Sequence, residues 1–100
     1  MKYGLSDQTI NDLKNVFRSF ENIETVILYG SRAKGNFHEG SDIDFAVIGE
    51  NIDLSLLHEI ELKIDTLFLP YRIDLCNFED IENNALKAHI ERVGKHFYQV

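Results

Sequence analysis

A glycine- and serine-rich loop between two short apolar runs limits the folds open to this chain. The apolar runs cover residues 25–29 and 43–48, and the loop covers residues 30–41. Such short runs, rich in β-branched and apolar residues, are typical of buried strands and too short for stable helices. The sequence therefore predicts a strand–loop–strand unit.

Two amphipathic helices are predicted on either side of this unit. Apolar residues recur at three- and four-residue steps over about residues 7–20, where Ser6 or Asp7 can cap the first helix. The second helix begins after Asp53, which can act as its cap, and cannot continue through Pro70.

The remainder of the chain predicts a third strand and a last helix. The strand covers about residues 71–76, and the helix runs from about Glu79 to Gly94, with Phe97 and Tyr98 packing back on the core. The order is α-β-β-α-β-α. We expect an α/β (α+β) fold, a small mixed sheet flanked by helices, in a single domain that covers residues 1–100.

Composition restricts the class of protein and its partners. The chain has 100 residues, 44% of them hydrophobic, and a net charge of −7, which disfavours a general nucleic-acid-binding surface. A domain of this size buries a modest core, so association with itself or with another protein is expected. The single cysteine, Cys76, excludes an internal disulfide, and no apolar stretch resembles a signal peptide or a membrane span, so the cytoplasm is the expected location.

The loop carries residues suited to phosphate and metal chemistry. Gly30 and Ser31 directly follow the first strand, where a glycine permits a sharp turn and a serine offers a hydroxyl beside backbone amides. Asp42 and Asp44 are two residues apart at the start of the next strand, so their side chains share one face at a Cα separation of roughly 6–7 Å. Two carboxylates at this separation favour a bound divalent cation.

A third carboxylate can join this pair. Alternation along the third strand places Arg72 and Asp74 on one face, and Asp74 reaches the same cleft if the second and third strands are neighbours. Ligands made only of oxygen fit Mg²⁺, or Mn²⁺, better than zinc. Arg32 and Lys34 can supply positive charge near phosphates.

These residues resemble a known signature. Gly30-Ser31, ten further residues and Asp42-Ile43-Asp44 match the GS-x(10)-D-x-D pattern of the polymerase-beta-like nucleotidyltransferase superfamily. Residues 29–35 and 41–45 also resemble its small prokaryotic branch, the minimal nucleotidyltransferase (MNT) proteins that pair with HEPN-domain partners. Phe45 stands where that branch usually has an aliphatic residue.

The resemblance implies a function and a role for each matching residue. Gly30, Ser31 and Arg32 would bind a nucleoside triphosphate, ATP above all, while Asp42 and Asp44 would hold two Mg²⁺ ions. Asp74 would complete the metal site and serve as a possible base. The implied protein is an antitoxin that transfers AMP to a hydroxyl side chain of a HEPN-domain toxin.

Other interpretations stay open at this point. Gly-Ser after a strand and Asp-x-Asp in a turn are each common structural features on their own, and Asp65 is a rival to Asp74 as the third acid. The four histidines have no spacing typical of a metal site or a catalytic triad. An antitoxin that only occludes its partner, and an enzyme that modifies a small acceptor such as an aminoglycoside, are the alternative functions.

Overall fold

The computed structural model describes residues 1–100 as four helices, four strands and one 3₁₀ turn. No helix combines the length and the apolar character needed to cross a bilayer. The elements, in chain order, are α1 (Asp7–Arg18), β1 (Ile23–Tyr29), α2 (Ser31–Lys34), β2 (Ile43–Gly49), α3 (Leu54–Asp65), β3 (Ile73–Asn77), the 3₁₀ turn (Phe78–Asp80), α4 (Asn84–Val93) and β4 (Lys95–Gln99).

The strands form one mixed sheet in the order β3-β2-β1-β4. β1 pairs antiparallel with both β2 and β4, whereas β2 and β3 run parallel. The parallel connection passes through α3, because parallel neighbours require a crossover and helices commonly provide it. The predicted mixed sheet flanked by helices is confirmed.

Helices cover the two faces of the sheet unequally. α1 and α3 pack on one face, where Phe17 meets the rings of Phe45 and Phe97 at centroid distances of 5.1 and 6.2 Å. The opposite face carries a smaller cluster in which Ile90 of α4 packs on Ile27 and Ala46. The thinner cover on this second face leaves room for polar residues at one end of β1, β2 and β3.

Both predicted helix caps are confirmed at the amino ends of α1 and α3. The Ser6 side chain accepts a hydrogen bond from the Thr9 amide at 3.1 Å, and the Asp53 carboxylate accepts one from the Leu56 amide at 2.8 Å. These bonds satisfy amide groups that have no partner inside the helix.

The carboxyl-terminal quarter differs from the prediction in two places. The acidic residues around Glu79 lie in the 3₁₀ turn and the segment after it, and α4 starts only after Asn83, whose side chain caps the Leu86 amide. Residues 95–99 form β4 on the free edge of β1, where the prediction had only a packed tail. Five residues with two buried aromatic rings carry too weak an alternation to be recognised as an edge strand.

Candidate functional site

The turn after β1 places Gly30 and Ser31 at the amino end of the short helix α2. Gly30 has a φ of +76°, a left-handed conformation that glycine adopts without steric cost. A Cβ atom at this position would also overlap the Asp44 carboxylate. The backbone of the Gly-Ser turn therefore lies directly against one of the predicted metal ligands.

Asp44 and Asp74 occupy matching positions in two neighbouring strands. They are register partners in the parallel pair β2–β3, and their carboxyl groups lie within hydrogen-bonding reach of each other. Arg72 approaches Asp74 with Nε 3.7 Å from Oδ1, an ion pair open to solvent. The expectation that β2 and β3 are neighbours is confirmed, and with it the meeting of these two acids.

The surroundings of Asp44 disfavour its negative charge. Burial raises the pKa of Asp44, and the nearby charges of Asp74 and Asp42 raise it further, while Arg72 acts weakly in the opposite direction. Like charges held together in a partly buried site favour either a shared proton or a bound cation.

Asp42 lies outside the register pair that Asp44 and Asp74 form. It is exposed just before β2, and it influences Asp44 through its charge. No three His, Cys, Asp or Glu side chains are spaced in this structure to hold a metal ion. The donor set nevertheless fits a hard divalent cation, because it consists of carboxylate oxygens whose mutual repulsion such an ion would relieve.

Arg32 points into the fold, with only 1% of its surface exposed. Its guanidinium group donates hydrogen bonds to the backbone carbonyl oxygens of Tyr3, Glu39 and Ser41. The predicted contact between Arg32 and a nucleotide finds no support in this geometry. Lys34, by contrast, is exposed on α2.

Two further residues at the site were not found from the sequence. Tyr29 pairs with Asp44 across β1 and β2, and its hydroxyl lies 3.6 Å from the Cys76 sulfur. Burial and this contact raise the pKa of Tyr29, and burial also raises the pKa of the Cys76 thiol. Both groups are therefore neutral around pH 7 and add no charge to the site. The spacing of 47 residues gave no local signal for the pair.

A cavity of about 510 Å³ opens beside Asp74, between the end of α3 and the start of β3. Its lining is both acidic and aromatic, and includes Glu61, Asp65, Phe68, Tyr71 and Asp74. Phe68 is 90% exposed and has a φ of +51°, so the turn after α3 holds an apolar ring in solvent in an unfavourable backbone conformation. Asp65 lies in this wall, whereas Asp74 is the acid that meets Asp44.

A family model and several solved structures match this chain. The family model described as "Polymerase beta, Nucleotidyltransferase" matches residues 11–100. No curated protein matches the sequence.

Solved structures share the fold. A chain of a toxin–antitoxin crystal structure with AMP-PNP has a TM-score of 0.75 and 22% identity, with 91% of this chain and 73% of that chain covered. A chain of the complex between the tri-AMPylated Shewanella oneidensis HEPN toxin and an MNT antitoxin has a TM-score of 0.71 and 18% identity, over 96% of this chain and 74% of that one. For a chain of the toxin–antitoxin MntA-HepT, the TM-score is 0.69 and the identity 18%, with coverages of 95% and 74%.

Proposed function

Because this chain belongs to the polymerase beta nucleotidyltransferase family, we propose that it transfers AMP from ATP to a hydroxyl side chain of a HEPN-domain toxin and so acts as an antitoxin. The observation that carries the proposal is the meeting of Asp44 and Asp74 in register, against the Gly30-Ser31 turn. A fold alone requires neither two repelling carboxyl groups nor a glycine turn packed against one of them.

Each residue has a place in the proposed reaction. The Gly30-Ser31 turn would bind the triphosphate through backbone amides and the serine hydroxyl. Asp42, Asp44 and Asp74 would hold two Mg²⁺ ions, for which Mn²⁺ can substitute. Divalent ions bound there would lower the pKa of the acceptor hydroxyl and neutralise charge on the pyrophosphate. The acceptor oxygen would then bond to the α-phosphorus as the bond to pyrophosphate breaks, and Asp74 would receive the hydroxyl proton.

The cavity beside Asp74 supports a macromolecular acceptor. It opens next to the acid that would receive the proton, and the exposed ring of Phe68 offers an apolar contact for a partner at its rim. The similar structures described above contain toxin–antitoxin pairs, one of them with an AMPylated HEPN toxin. The cytoplasm, where ATP is abundant, is the proposed location of the reaction.

Occlusion without catalysis is the second candidate, since the exposed Phe68 and Leu62 would serve a binding surface equally well. Repulsion between Asp44 and Asp74 favours the enzyme, because a purely occluding protein would gain stability by losing one of these charges.

The deciding experiment combines the chain with a candidate HEPN-domain protein, the product of a neighbouring gene, together with ATP and Mg²⁺, followed by intact-mass spectrometry of that protein. We expect a mass increase of one or more AMP groups with the wild-type chain and none with Asp44→Asn, although Asp44→Asn still forms the complex. Complex formation with no mass increase from the wild type would establish occlusion. A modified aminoglycoside in the absence of any partner would establish a small-molecule acceptor.

A further inference from the structure

Arg32 is a buried cation without a counter-charge. Its side chain is the only charged one among the buried residues, and the ion pairs of the structure, His58–Glu61 and Arg72–Asp74, do not include it. Burying an unpaired charge is costly unless hydrogen bonds replace its hydration. The fold therefore keeps a buried charge whose desolvation cost must be offset by its hydrogen bonds, and the acceptors of these bonds indicate what it stabilises.

The hydrogen bonds of Arg32 converge on the segment that leads to Asp42. Nε and Nη2 both donate to the Ser41 carbonyl oxygen, at 3.1 and 2.9 Å, and Nη2 also donates to the Glu39 carbonyl oxygen at 3.2 Å. Nη1 donates to the Tyr3 carbonyl oxygen at 2.8 Å and so adds the amino-terminal segment. The planar guanidinium holds three backbone groups at once, which a lysine ammonium cannot reproduce.

Two aromatic rings enclose the same group. The guanidinium carbon lies 4.7 Å from the centroid of the Tyr71 ring and 5.3 Å from that of Phe37, within cation–π range. Tyr71 is adjacent to Arg72, whose carbonyl oxygen accepts the Ile43 amide at 2.9 Å. Arg32 thus contacts the segments that precede both β2 and β3.

These contacts fix Asp42 from both sides along the backbone. The carbonyl oxygen of Ser41, immediately before Asp42, is held by Arg32, and the amide of Ile43, immediately after it, is held by Arg72. Arg32 itself follows Ser31 in α2. One guanidinium therefore relates the Gly-Ser turn to the start of both strands that carry the acids.

We propose that Arg32 is a positioning residue, which holds the backbone at Ser41 so that Asp42 stands at the distance from Asp44 and Asp74 that metal binding requires. The inference rests on the proposed function for its catalytic consequence, but its structural consequence can be measured separately. Arg32 contacts neither nucleotide nor metal in this role.

The test compares Arg32→Lys with the wild type by titration with Mn²⁺ alone, followed by electron paramagnetic resonance. Lysine keeps the positive charge and loses the fork, so we expect Mn²⁺ affinity to fall by about 10–100-fold, as for other residues that support metal ligands. Two controls are expected to keep wild-type affinity: Arg18→Lys, which removes an arginine that stacks on Tyr98, and Val16→Ala, which destabilises the core without touching Arg32 or its partners. A folded Arg32→Lys protein with wild-type affinity would overturn the proposal.

Turnover gives the second readout. With ATP, saturating Mg²⁺ and the HEPN protein, we expect Arg32→Lys to lower kcat by about 10–100-fold while KM for ATP changes little. Every ligand carboxylate is still present in this variant, so saturating Mg²⁺ offsets the weaker metal binding, whereas the displaced geometry of the ligands still slows the reaction. A raised KM for ATP with unchanged kcat would overturn the proposal in favour of direct nucleotide contact. If no variant transfers AMP but the difference in Mn²⁺ affinity persists, the proposed function fails and the positioning role stands.

A second variant applies if Arg32→Lys does not fold. Phe37→Leu alters none of the groups that accept hydrogen bonds from Arg32, but it removes one of the two rings that hold the guanidinium in position over the Ser41 carbonyl oxygen. Phe37 lies outside the cavity beside Asp74. We expect a loss of Mn²⁺ affinity of about threefold or more, the scale of one cation–π contact. Wild-type affinity in this variant would count against the role of Arg32.

Discussion

Asp44 in β2 and Asp74 in β3 are direct register partners across a parallel pair of strands. Two carboxylates held this close in a partly buried site repel each other, which destabilises the fully ionised form. The sheet therefore maintains a local repulsion that a divalent cation would convert into attraction. Stability measured with and without a divalent cation therefore tests the proposed metal site.

Asp44→Asn should abolish transfer and stabilise the metal-free protein at pH 7, by on the order of 1 kcal/mol. The pKa of Asp44 is raised above its ordinary value of 3.8, so its ionised form destabilises the native state. The penalty is complete above the folded-state pKa and disappears as pH falls toward 3.8. Thermal unfolding at pH 7 and pH 4 should show a gain in Tm for the variant that shrinks at the lower pH. An equal gain at both pH values would contradict this account.

Addition of ATP with Mg²⁺ should reverse the order of stability. At a ligand concentration of about 100 times Kd, binding to the native state adds about 2.7 kcal/mol. The wild type should gain this stabilisation and Asp44→Asn should not, because it lacks a ligand carboxylate. Tm measured with ATP and Mg²⁺, and again after addition of EDTA, provides the comparison. A similar gain in both proteins would mean that Asp44 takes no part in the site.

Gly30→Ala should damage both stability and transfer. A side chain at a φ of +76° is strained, and its Cβ would displace the Asp44 carboxylate. We expect a loss of about 1–3 kcal/mol in the free energy of unfolding, measured by urea denaturation. Gly40→Ala is the matched control, because a Cβ at that position meets no atom within 4 Å and the φ is not in the left-handed region. Equal effects of the two substitutions would argue against the close approach at Gly30.

Phe68→Asn should weaken the complex with the proposed HEPN-domain partner without destabilising the isolated chain. Asparagine accepts positive φ better than a bulky ring, so the strain at 51° is relieved while the exposed apolar surface is removed. A loss of about tenfold or more in affinity is expected for an aromatic anchor at an interface. Calorimetry of the complex measures it, with Leu54→Asn, another highly exposed apolar residue at the far end of α3, as the control. Unchanged affinity in Phe68→Asn would place the partner elsewhere.

Much of the fold could be predicted because its signals are local. The caps at Ser6 and Asp53, the helical spacing in α1 and α3 and the apolar strands β1 and β2 each depend on neighbouring residues. β4 could not be predicted, since its place beside β1 depends on pairing with residues about seventy positions earlier in the chain.

The candidate site could likewise be predicted from the sequence only in part. Spacing alone was enough to propose Asp42 and Asp44 as a pair, and the alternation around Asp74 was enough to propose the third acid. The direction of the Arg32 side chain was not predictable, because it depends on Tyr3 and Tyr71, which come from distant parts of the chain. A positive residue beside a phosphate-binding turn suggests a contact with the ligand. The structure shows instead that the guanidinium donates its hydrogen bonds to backbone carbonyl oxygens of the protein itself.

The hydrogen bonds of Arg32 reach main-chain oxygens only. The identities of the side chains at positions 3, 39 and 41 are therefore irrelevant to those bonds, provided that the backbone keeps its path. Substitutions can therefore change the outward-facing side chains of the loop around Glu39 while Asp42, Asp44 and Asp74 keep their positions.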